Sequence, residues 1–158
     1  MIETDPKLKE KLALLKSRAL LPLRQYVDEA LEVLRSSPAP APHSSKIISA
    51  RMKYANSRSR LIETRLIIVQ ELSTLRSMHS NLHDYLLSKY NTGYLGNIKN
   101  ARSREAVVSK ALAPISNRIS KLESATEVVD TVVKDLDSKA FAVRDIMTAI
   151  QLGERESH

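Results

Sequence analysis

From Ile115 to Ile150 the chain reads ISNRISKLESATEVVDTVVKDLDSKAFAVRDIMTAI. Ile115, Ile119, Leu122, Thr126, Val129, Val133, Leu136, Ala140, Val143, Met147 and Ile150 keep a 4-3 spacing through it without a break. That is the repeat of a helix with one continuous apolar seam. Val128, Val132, Ala142 and Ile146 widen the stripe, and Gly153 is placed to end the helix. A seam of eleven positions cannot be satisfied by one helix. It predicts burial against an N-terminal helix or against other subunits.

Working back from this stretch, Ala113-Pro114 predicts a break, with a short helix over about 98–112 before it. Asn91-Thr92-Gly93-Tyr94-Leu95-Gly96-Asn97 is a turn that holds two of the chain's three glycines. Asn and Gly tolerate the left-handed backbone that a helix stop often needs. From Lys46 to Tyr90 there is neither proline nor glycine, which predicts one long helix. Its first seam reads Ile48, Met52, Ala55, Ser59, Ile62, Leu66 and Val69; a second reads Ile68, Leu72, Leu75, His79, Leu82 and Leu86. Before it, Ser36 to Ser45 alternates Pro and Ala, which favours an extended linker, and Ser44 or Ser45 can cap the long helix. Asp5-Pro6 starts an N-terminal helix, and Pro22 should kink it. The expected organisation is a helical segment over 1–36, a linker over 37–45, and a long helical hairpin with an oligomerisation helix over 46–158.

Composition narrows the class. The 158 residues allow one ordinary domain, with 42% apolar and 27% charged residues. Six aromatics, no tryptophan and 3 glycines are thin for a β-sandwich or barrel and suit an all-α fold. No cysteine excludes disulfides and thiolate metal sites. The longest apolar run, Leu66 to Val69, is far too short to span a membrane. The first five residues hold two acids and no basic stretch, unlike a secretory signal.

The formal net charge is +7 and its distribution is uneven. Residues 46–110 carry 12 basic and 4 acidic side chains, whereas residues 120–158 carry 5 and 8. A basic middle suggests a polyanion surface, although a solvated bundle with uneven charge has the same composition. Arg51, Arg58 and Arg65 are spaced by seven, with Lys46, Lys53 and Arg60 beside them and Tyr54 among them. Such a face suits phosphates. A second set, Lys89, Tyr90, Tyr94, Lys99, Arg102 and Arg104, surrounds the turn. Interleaved tyrosines and cations suit a single strand, whose bases stack while its phosphates pair. The alternative is that the tyrosines pack the hairpin and the cations solubilise it.

Catalytic patterns are weak. His79 and His83 share a helical face beside Asp84, but no third metal ligand is indicated. No Gly-rich phosphate loop or nucleophile elbow is present. The chain reads as a non-enzyme without a cofactor or a bound metal.

Asp137-Ser138-Lys139-Ala140-Phe141-Ala142-Val143-Arg144-Asp145-Ile146 resembles the Ser-Arg-Gly-Phe-Ala-Ile-Lys-x-Ile signature of the phage recombination mediator family, UvsY. The order of parts over residues 60–150 is also similar: a basic helix, a Tyr-x-x-Gly turn at Tyr90 to Gly93, then a helix leading to the signature. Of the family's basic-aromatic motif before the turn, only Lys89 and the tyrosines are present. The first 45 residues have no counterpart. The resemblance implies a homo-oligomer, in the form of a ring, that binds single-stranded DNA, displaces the single-strand-binding protein and loads a RecA-type recombinase. It also implies a cytoplasmic setting in a phage-infected bacterial host. Oligomerisation is then expected through Val129, Val133, Leu136, Ala140, Phe141, Val143, Ile146, Met147 and Ile150. The competing reading is a coiled-coil adaptor or scaffold that binds only proteins.

Overall fold

A computed structural model describes residues 2–17, 23–37, 39, 44–98 and 100–156. These form a short 3-10 turn, Ile2–Thr4, and four helices: α1 (Pro6–Ser17), α2 (Leu23–Ser36), α3 (Ser44–Tyr90) and α4 (Ala101–Glu156). The fold is all-α, with no strand among the described residues. No helix among them is long and apolar enough to cross a membrane. The expected kink at Pro22 lies outside the described residues, as do 38 and 40–43 of the Pro-Ala stretch.

Helix boundaries follow local chemistry. Asp5 caps α1: its Oδ1 accepts the backbone N–H of Lys7 at 2.9 Å and of Leu8 at 3.2 Å. Asn100 caps α4, accepting the Arg102 N–H at 2.9 Å through Oδ1. At the turn, the Leu95 N–H reaches back to the Tyr90 carbonyl at 2.9 Å, and Leu95 itself is fully buried. None of the described residues has a positive φ. Gly96 is needed for close approach instead, because a Cβ there would lie 2.7 Å from the Asn91 carbonyl oxygen.

Three sequence expectations are corrected. The break at Pro114 is absent, and α4 runs through it. Pro114 lies on the exposed face, where water can take the Lys110 carbonyl that loses its partner. Gly153 does not end α4, which continues to Glu156. A Cβ there would meet nothing within 4 Å, and keeping glycine inside the helix costs about 1 kcal/mol in intrinsic propensity. Finally, the first seam of α3 is the wrong row. Ile48, Met52, Ala55, Ser59, Leu66 and Val69 are exposed, whereas Ile47, Tyr54, Leu61 and Ile68 are buried at seven-residue spacing. Both rows have helical periodicity. The row that contains Ala55 and Ser59 offers less apolar area to bury, so the row with Tyr54 and Leu61 faces inward.

The chain divides into two compact units that do not follow the linker. The first comprises Met1–Pro22 and Val69–Ser124, the second Leu23–Ile68 and Ala125–His158. In the first unit α1 and α4 both run antiparallel to α3. Asp5 meets Lys89, and Lys7 lies over Tyr85. Arg104 meets Asn91, and Arg76 meets Glu123. Leu8, Leu75, Leu82, Leu86, Leu112 and Ile115 form its core. In the second unit Arg58 and Arg65 meet Asp137 and Asp130, and Lys53 and Arg60 meet Ser36 and Glu29, so α2 and α4 again flank α3 antiparallel. Its core holds Tyr26, Ala30, Leu61, Ile68, Val129 and Leu136. Each large aliphatic side chain so buried contributes about 1.5–3 kcal/mol.

The α4 stripe is therefore covered mainly by the chain itself. Val129, Leu136 and Val143 are buried, and Val133, Ala140, Ile146, Met147 and Ile150 are half-buried. They belong to the second unit, where α2 and α3 take part in covering the stripe, as the N-terminal-helix alternative expects. Phe141 is the exception at 64% exposure.

Candidate nucleic-acid interface

Folding rearranges the charge. In the second unit α3's arginines meet the chain's own carboxylates. Arg58 Nε donates to Asp137 Oδ1 at 2.6 Å, Arg65 Nε to Asp130 Oδ1 at 2.6 Å, and Arg60 Nε lies 2.5 Å from Glu29 Oε1. Lys53 Nζ donates to the Ser36 carbonyl. Arg51 is exposed and has no ion pair among the described residues. Tyr54 is buried at 2% exposure, so it cannot stack on a base. The second unit carries 12 basic and 11 acidic side chains, a balance of only +1. The basic middle and the acidic end of the sequence thus largely cancel where they meet.

The first unit keeps the excess, with 13 basic and 7 acidic side chains and a balance of +6. Part of its aromatic-basic set has a structural role. Asp5, 1% exposed, accepts Lys89 Nζ at 2.6 Å and the Tyr90 hydroxyl at 2.9 Å through Oδ2. Burial alone would raise the Asp5 pKa. The hydrogen bonds from Lys89, Tyr90 and the Leu8 N–H outweigh burial and bring it down to about 2. The same pair pushes Lys89 above its ordinary value. Burial, then the Asp5 hydrogen bond, pushes Tyr90 up. Lys7 and Lys89 lie over the Tyr85 ring, 4.3 Å and 5.3 Å from its centroid. Lys89 and Tyr90 therefore fasten α1 to α3. Sequence reading finds the cap at Asp5 but not this second partnership, because residues 84 and 85 positions away give no local signal.

Tyr94 and Arg102 of the set face solvent, and Arg104 is half-buried. Tyr94 is 48% exposed on the turn. The Arg102 side chain is exposed and has no ion pair among the described residues, and its backbone N–H donates to Asn100 Oδ1. Arg104 Nη1 donates to Asn91 Oδ1 at 2.8 Å, which ties the first turn of α4 to the turn that carries Tyr94. Lys99 lies outside the described residues. Lys110 on α4 is also exposed. An exposed phenol ring can stack on a base while cations of the same unit meet phosphates.

His79 and His83 stack, with ring centroids 6.3 Å apart. His83 lies 3.4 Å from both Asp84 and Glu105. Among the described residues, no three His, Asp or Glu side chains are grouped to hold a metal ion. No protein-family model, curated protein or solved structure matches the chain.

Proposed function

We propose that this chain is a non-catalytic single-strand-binding protein that works as a recombination mediator, holding DNA for a RecA-type recombinase while the single-strand-binding protein is displaced. The carrying observation is the +6 balance of the first unit, with Tyr94 exposed on the turn and Arg102 exposed at the start of α4. Arg58, Arg60 and Arg65 are already paired with carboxylates, so the DNA contact lies elsewhere. The mediator reading keeps Tyr94, Arg102 and Arg104, adds Lys110, and places Lys99 with them by sequence. Assembly into a ring then uses apolar side chains left exposed in the second unit: Ile48, Met52, Leu66 and Phe141. Repeating a weak patch around a ring raises affinity through effective concentration.

The protein-only scaffold is the second reading, and one observation favours it: those same side chains are exposed beside arginines already neutralised. Fluorescence anisotropy with a labelled oligothymidylate separates the two. The mediator reading expects saturable, salt-dependent binding that Tyr94→Ala weakens. The scaffold reading expects none.

A further inference from the structure

A groove of about 660 Å³ lies between α1 and α3 in the first unit. Lys7, Lys11 and Leu14 line it from α1, and Leu75, Met78 and Leu82 from α3. Leu75 and Leu82 are buried, and Leu14 is 45% exposed. The groove spans Glu71 to Leu82 on α3, about three helical turns. Two antiparallel helices with an apolar trough between them form a seat for a third. An adaptable methionine halfway along suits a helix partner.

The charge of the groove selects the partner. Glu71 is the one carboxylate among the lining residues, and Arg118 already holds it with bonds of 2.9 and 3.1 Å. The rest of the α3 rim is uncharged, with Thr74 and Asn81. On the α1 rim, Lys7 and Lys11 stand one helical turn apart. Lys7 lies over the Tyr85 ring, and among the described residues the one ion pair of Lys11 is with Glu10 of its own helix, 3.9 Å away. Cations one turn apart match carboxylates one turn apart on a facing helix, whereas a single anionic headgroup would need them to converge. We infer that this groove binds a protein partner through an acidic amphipathic helix, its leucines in the trough and its carboxylates along Lys7 and Lys11.

The test uses the full chain and a fluorescein-labelled 16-residue helical peptide, with leucine at i, i+3 and i+7 and glutamate along one flank, beside a twin carrying glutamine for glutamate. The glutamate peptide should bind at least tenfold more tightly than its twin. Lys11→Glu should weaken it at least fivefold, and Leu14→Glu should abolish binding while leaving the melting temperature of the chain within a few degrees. Oligothymidylate should not displace it, which separates this groove from the DNA reading. Equal binding of the two peptides, or no effect of Lys11→Glu, would overturn the inference. Displacement by stoichiometric dodecanoate would assign the groove to a small amphiphile instead. A fall in the chain's own sedimentation coefficient with Leu14→Glu would assign it to a second copy.

Discussion

Arg65 of α3 donates to Asp130 of α4 at 2.6 Å, and one heptad away on each helix Arg58 does the same to Asp137 at 2.6 Å. Two arginines that look like a phosphate-binding row in the sequence are thereby spent on the antiparallel pairing of the two longest helices. Exposed pairs of this kind are worth about 0.2–1 kcal/mol each. Replacing Arg58 and Arg65 by alanine should therefore lower stability by no more than about 2 kcal/mol. Oligonucleotide affinity should stay within twofold. The reciprocal change is more telling: Asp130→Asn with Asp137→Asn frees both arginines. It should strengthen oligonucleotide binding and steepen its salt dependence, by about −0.7 in slope for each phosphate gained. Anisotropy titrations at several salt concentrations read both effects.

Asp5 gives a pH signature. Its folded pKa is about 2 against an ordinary 3.8, so its interactions add stability above about pH 4 that is lost as pH falls toward 2. Lys89 is shifted the other way, upward, so its share is present below its ordinary value and is lost only as pH rises past it. Asp5→Asn should lower the melting temperature at pH 7 and remove much of the loss of stability between pH 4 and pH 2. Thermal melts across that range check it.

Leu136 and Phe141 lie five residues apart on α4 but should behave differently. Leu136 is 1% exposed, so Leu136→Ala should cost about 2–5 kcal/mol of stability whatever the assembly state. Phe141 is 64% exposed, so Phe141→Ser should leave the melting temperature nearly unchanged and lower the sedimentation coefficient if the chain assembles through this face. Denaturant titration and analytical ultracentrifugation separate the two effects.

The core of the α4 stripe was legible in the sequence because its period is unbroken: Val129, Leu136 and Val143 are buried as that period requires, although Ala142 beside them is exposed and the ends of the helix lie elsewhere than expected. The Asp5 cap was legible for a similar reason: its partners, Lys7 and Leu8, are local. Two kinds of information were not. At the start of α3, Ile47 and Ile48 compete for the core, and only packing against α2 and α4 decides between adjacent rows. The fate of the arginines depends on which carboxylates the hairpin brings opposite them, 65 residues away for Arg65 and 79 for Arg58. Charge counted along the chain cannot show this cancellation; charge counted within each folded unit does.

The DNA reading rests on the turn of the first unit, and one titration tests it most directly. Labelled oligothymidylate is titrated with the wild-type chain and with a Tyr94→Ala, Arg102→Ala double variant over a series of salt concentrations. Stacking is worth about 1–3 kcal/mol per base, so losing Tyr94 should weaken binding by roughly 5- to 150-fold. Losing Arg102 should flatten the salt slope by about 0.7. The variant should keep the wild-type melting temperature, since both side chains face solvent. Unchanged affinity and slope in the double variant, or no binding by the wild type at low salt, would contradict the proposed interface.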